Sequence, residues 1–103
     1  MNRVDLPPKL SGEIRNYTFD FSSLLATSET ISTQKVTATV YSGTDADPSR
    51  LVAGTATASG AIVTQKLKEG TTGVIYKLVC EITTSANQLL QMVGLLAVVP
   101  NEI

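Results

Sequence analysis

Histidine and tryptophan are absent from this 103-residue chain, and cysteine occurs once. Without histidine, the commonest general base and the commonest metal ligand at neutral pH are missing. Serines abound, but no serine–histidine triad can be assembled. One cysteine forms no intrachain disulfide, and it excludes the usual zinc spacings. Charge of one sign is missing too: eight Lys and Arg stand against nine Asp and Glu, scattered, for a net charge of −1. No surface is thus built to attract phosphate or an anionic membrane, and basic residues do not interleave with aromatics as nucleic-acid binding requires. The longest apolar run, Met92 to Val99, falls well short of the ~20 residues that cross a bilayer. Met1 to Lys9 has no apolar core of a signal peptide, so none is expected. Asp45 and Asp47 are the one close acidic pair, and Asp45-Ala-Asp-Pro-Ser49 lacks the further oxygens a calcium site needs, so it reads as a solvated turn. The seven glycines are dispersed and make no phosphate loop. No enzyme, cofactor or metal is expected.

What is present is strand and turn material. Hydrophobic residues make up 43%, mostly Val, Leu, Ile and Ala, beside 14 Thr and 9 Ser. The length suits one domain with a radius of gyration near ~13 Å. From Val74 the even positions Tyr76, Leu78, Cys80 and Ile82 form one apolar stripe. Lys77, Glu81 and Thr83 lie opposite, with Ile75 and Val79 as exceptions. That is the period of a half-buried strand. Cys80 on the stripe reads as a small buried hydrophobe rather than a reactive thiol. Tyr17, Phe19 and Phe21 line one face of an earlier strand and hold three of the five aromatics. Ile31 to Tyr41 alternates again, Ser42 to Arg50 is a loop, and Ser59-Gly60 separates two short strands as a tight hairpin. Ser22 to Thr30 is open between one helical turn and a crossing loop. Leu89 to Val99 is a final strand ended by Pro100. Six or seven strands with turns every eight to twelve residues predict an all-β antiparallel sandwich.

Two stretches stand apart from this pattern. Pro7-Pro8 and Ser11-Gly12 make residues 1–12 an extended N-terminal arm ahead of a domain at 13–103, either a frayed end or an arm that docks on a neighbouring subunit. The last strand is apolar on both faces, so its outer side is covered by loops, by the arm, or by another chain.

The Gly70-Thr-Thr-Gly73 turn with Tyr76 just inside the next strand resembles the corner opening the penultimate strand of immunoglobulin-like sandwiches. There the tyrosine hydroxyl bonds back to nearby backbone. Five stretches together resemble small immunoglobulin-like structural proteins of tailed bacteriophages, of the fiber–tail adaptor or neck type. They are Tyr41 to Leu51, Gly60 to Gln65, Gly73 to Cys80, Thr83 to Ser85 and Leu96 to Pro100, within the last two thirds of the chain. The resemblance implies a virion component, assembled in the host cytoplasm, that joins fibers or neighbouring parts to the head–tail region. Its partners would be other virion proteins, with further copies of itself in the particle, and neither nucleic acid nor membrane. It carries over no active-site residues. The alternatives are a capsid decoration protein or a cell-surface or carbohydrate-binding module, for which Tyr41 is the one aromatic not committed to the core. Partner contact is expected at Val4, Leu6, Pro7, Pro8, Asp45, Asp47, Pro48, Arg50, Leu95 and Val99.

Overall fold

The period-2 segments become strands of two facing sheets in the computed structural model, which describes residues 3–10 and 12–99. In chain order they are β1 (Arg3–Asp5), β2 (Lys9–Leu10), β3 (Arg15–Asp20), β4 (Ile31–Ser42), β5 (Val52–Ser59), β6 (Ile62–Leu67), β7 (Ile75–Thr84) and β8 (Leu89–Val99). One sheet runs β1-β8-β7-β4, with β2 also on β8, and the other runs β3-β6-β5. Because β1 and β2 follow one another along the same edge of β8, eight segments fill seven strand positions. Both pair parallel to β8, whereas every other pairing is antiparallel. This is the expected immunoglobulin-like sandwich, with principal extents of 46 × 21 × 20 Å.

The core lies between the sheets, where the two predicted stripes meet. Tyr17, Phe19 and Phe21 from the β3 side pack with Val74, Tyr76, Leu78, Cys80 and Ile82 from the β7 side. Met92, Leu96 and Val98 of β8, Val63 and Leu67 of β6, Val36 and Ala38 of β4, Ala56 of β5, and Leu51 complete it. Burying side chains of this size stabilises by roughly 1.5–3 kcal/mol each, so a one-residue slip of β7 would forfeit the whole stripe. Ser22 to Thr30 resolves as a crossing loop with turns, and Leu24 and Leu25 tuck against the core from it. Between β5 and β6 the register shifts from Ala53 to Thr57. The Gln65 side chain, 1% exposed, fills that irregularity by donating to the Ala53 and Gly54 carbonyls.

The described part of the N-terminal segment lies on its own domain. Arg3, Val4 and Asp5 are in register with Val93, Gly94 and Leu95, and Lys9 and Leu10 with Val98 and Val99. Lys9 is fully buried, and its Nζ donates to the Leu10 and Glu69 carbonyls. Burial lowers its pKa from the ordinary value. From β3, the Tyr17 hydroxyl donates to the Pro7 carbonyl at 3.0 Å and Arg15 to the Pro8 carbonyl at 3.1 Å. Pro-Pro sets the extended geometry. What chooses the partner is the otherwise bare edge of β8, whose ladder groups need bonding. Met92, Leu96 and Val98 face the core, and Val93, Leu95, Ala97 and Val99 are half-buried between neighbouring strands on the outer face.

Candidate assembly surface

Loops 43–51 and 68–74 meet the N-terminal segment at one end of the sandwich. Tyr76, fully buried two residues into β7, fastens them. Its hydroxyl accepts from the Thr71 amide at 2.7 Å, the bond back to nearby backbone that a corner tyrosine makes. The same hydroxyl donates to the Asp45 carboxylate at 2.5 Å. Asp45 therefore does not sit in a solvated turn. Its side chain is 5% exposed, and its second oxygen accepts from the Asp47 amide. The Tyr76 bond, then the Asp47 amide, hold the Asp45 carboxyl below its ordinary pKa, and burial with the Asp45 bond raises that of Tyr76. Gly70 makes the turn possible. At φ +98° it takes a conformation that L side chains rarely adopt, and a Cβ there would stand 2.8 Å from Val98.

On the outside of this corner Arg50 stands 3.6 Å from Asp45, 3.8 Å from Asp47 and 3.6 Å from Glu69. Arg50 is about half exposed, and such pairs are worth ~0–1 kcal/mol each; they set direction more than stability. Pro48 opens the short 3-10 turn Pro48–Leu51, and Ser49 donates to the Asp47 carboxylate. Since Lys9 bonds the Glu69 carbonyl and Arg50 pairs with the Glu69 carboxylate, the N-terminal segment and the two loops are one connected surface.

The ten residues expected at partner contacts divide accordingly. Asp47, Pro48 and Arg50 lie on the corner loop, Pro7 and Pro8 lie on the N-terminal segment against β3, and Val99 is in register with Leu10. Asp45, also on the corner loop, is turned inward. Leu6 packs against the core. Leu95 sits further along β8 on its outer face, half-buried, and the Val4 side chain falls outside the described residues. Lys9, Gln65, Glu69 and Tyr76 organise the end without having been singled out as contacts. Only Tyr76 carried a local signal, the glycine-rich turn before it. Among the described residues no group of three or more Cys, Asp and Glu side chains is placed to hold a metal ion. Cys80 is buried in the core with its thiol pKa pushed up to about 12 by burial, far from a reactive thiolate.

An all-β domain with a stiffened, chemically quiet end of this kind matches a known family along most of its length. The family model described as podophage GP4 fiber-tail adaptor protein gp77 matches residues 9–96. The chain belongs to this family. A search of curated proteins found no match. Membership in the fiber-tail adaptor family makes the chain a virion component that binds other virion components. The matched span begins at Lys9, so it takes in β2 and the corner end together.

Proposed function

We propose that this chain is an adaptor subunit at the phage neck or tail, joining fibers or neighbouring components to the head–tail region by protein–protein contact. The sandwich serves as a rigid spacer, the described N-terminal residues 3–10 as a strap along β8, and the corner end as the contact face. The single observation carrying this reading is the run of contacts at this end, in which Tyr76 fixes Asp45, Arg50 stands beside Asp45, Asp47 and Glu69, and Lys9 of the strap bonds the Glu69 carbonyl. Prolines and a buried hydrogen-bonded aspartate hold the loop still before a partner arrives, which reduces the ordering cost of binding. Exposed Arg50, Asp47 and Glu69 offer a directional polar rim of the sort that fixes orientation at interfaces. In the particle the subunit works in several copies and contacts neither nucleic acid nor lipid, and it folds and assembles in the host cytoplasm.

The test is assembly of particles with Arg50→Glu and Asp47→Lys variants of the full chain. Both positions are exposed, so the fold should be retained. Fiber attachment should drop, scored by electron microscopy and by the protein content of purified particles. Normal particles from both variants would move the contact away from the corner end.

A further inference from the structure

The sandwich protects its strand edges unequally. The β8 edge is taken by β1 and β2. At the β3 edge, Tyr17 and Arg15 hold the strap alongside. The β5 edge is interrupted between Ala53 and Thr57, with Gly54 at φ +76° inside the interruption. β4 is different. It is the outer strand of its sheet, the longest in the fold, and its pairing with β7 is regular from Thr33 to Val40, with irregularities only at its two ends. That run has no proline, no glycine and one charge, Lys35. β5 and the Pro48–Leu51 turn pack beside β4, and the Gln34 side chain donates to the Ala56 carbonyl, but among the described residues no strand pairs with its outer edge. Long, regular, unpaired edges are templates for pairing with another strand.

We infer that β4 pairs antiparallel with β4 of a second copy of this chain, about a two-fold axis at Thr37, so that the two sheets run on as one. The sequence of the strand is what selects a second copy. Centring the axis on Thr37 sets Lys35 opposite Thr39 of the second copy and Val36 opposite Ala38. The one charge of the run therefore never meets its own kind, and residues of the same face meet across the axis. In the observed register, Lys35, Thr37 and Thr39 share the exposed face and Val36 and Ala38 the buried one, so the pairing keeps both faces intact. A two-fold contact of this kind is self-complementary, the commonest way for like subunits to associate. This pairing goes beyond the adaptor reading, and it gives the multiple copies proposed there a specific contact.

The experiment is sedimentation velocity on the full chain over a concentration series, native and with charge changes at position 39. Thr39→Lys sets a cation opposite Lys35 twice per pair and should weaken dimerisation by about tenfold. Thr39→Glu should strengthen it, and Lys35→Glu combined with Thr39→Lys should restore it. Circular dichroism melts check that each variant folds. A native chain that stays monomeric throughout, or two position-39 variants that shift the equilibrium in the same direction, would overturn the pairing. Particle assembly separates this outcome from the fate of the adaptor reading. A monomer that still attaches fibers removes the pairing and leaves the adaptor. A dimer of the predicted register that is missing from particles keeps the pairing and removes the adaptor.

Discussion

The Tyr76 hydroxyl and the Asp45 carboxylate, 31 residues apart in sequence, are joined by a 2.5 Å hydrogen bond at the corner of the sandwich. That contact ties the loop after β4 to the strand that opens the opposite side of the corner. Replacing Tyr76 by Phe removes both this bond and the one from the Thr71 amide. Tyr76→Phe should lower stability by about 1–2 kcal/mol, and Tyr76→Ala by about 3–5 kcal/mol through the cavity it leaves. Urea unfolding measures both. Equal stability of all three proteins would show that the corner is not fastened this way.

Acid should loosen the same corner. The folded pKa of Asp45 lies below its ordinary 3.8, first because of Tyr76. A carboxyl depressed in the folded state contributes stability that is fully present above that ordinary value. The contribution is lost as the pH falls through the lower, folded one. Glu29, held down first by the Thr84 hydroxyl, acts in the same direction. Stability should therefore fall as the pH drops below ~4, and it should fall less steeply in Tyr76→Phe, which lacks the main cause of the Asp45 shift. Parallel pH profiles of the two proteins would contradict this.

These two cases mark where the sequence was legible. The stripes of β3 and β7 could be read because each strand has one wet and one dry face, so period 2 appears in the residue types themselves. Tyr76 could be read because its turn precedes it locally. Asp45 could not. Its acceptor role depends on a partner in another strand, and its own neighbourhood, Ala46, Asp47 and Pro48, has only turn chemistry to offer. Gln65 was hidden because its partners exist only where β5 loses register with β6. Lys9 was hidden because a lysine beside two prolines reads as exposed, while its cage of carbonyls comes from the distant Glu69 as well as from Leu10. The corner loop and the strap meet only through tertiary structure, by way of the Lys9 bond to the Glu69 carbonyl and the Arg50–Glu69 pair, which no spacing in the sequence encodes.

Cys80 should be chemically silent in the folded protein. It is fully buried, and its thiol is pushed up to about 12. Labelling of native protein with a thiol reagent should be slow, limited by opening of the β7 stripe, and should accelerate sharply in denaturant. Fast labelling of the native state would place Cys80 on the surface and reverse the facing of every β7 residue.

Removing residues 1–10 separates a strap that belongs to the fold from an arm meant only for a neighbour. An arm reaching to another subunit would leave the isolated domain's stability unchanged when deleted. Here Leu6 packs on the core, Lys9 is fully buried, and the Tyr17 hydroxyl, on a 3% exposed residue, depends on the Pro7 carbonyl. The deletion would strip the Leu6 and Lys9 contacts, leave the Tyr17 hydroxyl without that acceptor, and bare the β8 edge along both paired stretches. Lost apolar burial and the orphaned hydroxyl together should lower stability by roughly 2–4 kcal/mol, set against the entropy regained by the freed segment. The bared edge should also promote aggregation, because a row of unpaired strand groups is a template for other chains. Thermal melts and light scattering on the truncated protein read the two effects separately. An unchanged melting temperature with no rise in scattering would return the segment to the role of a free arm.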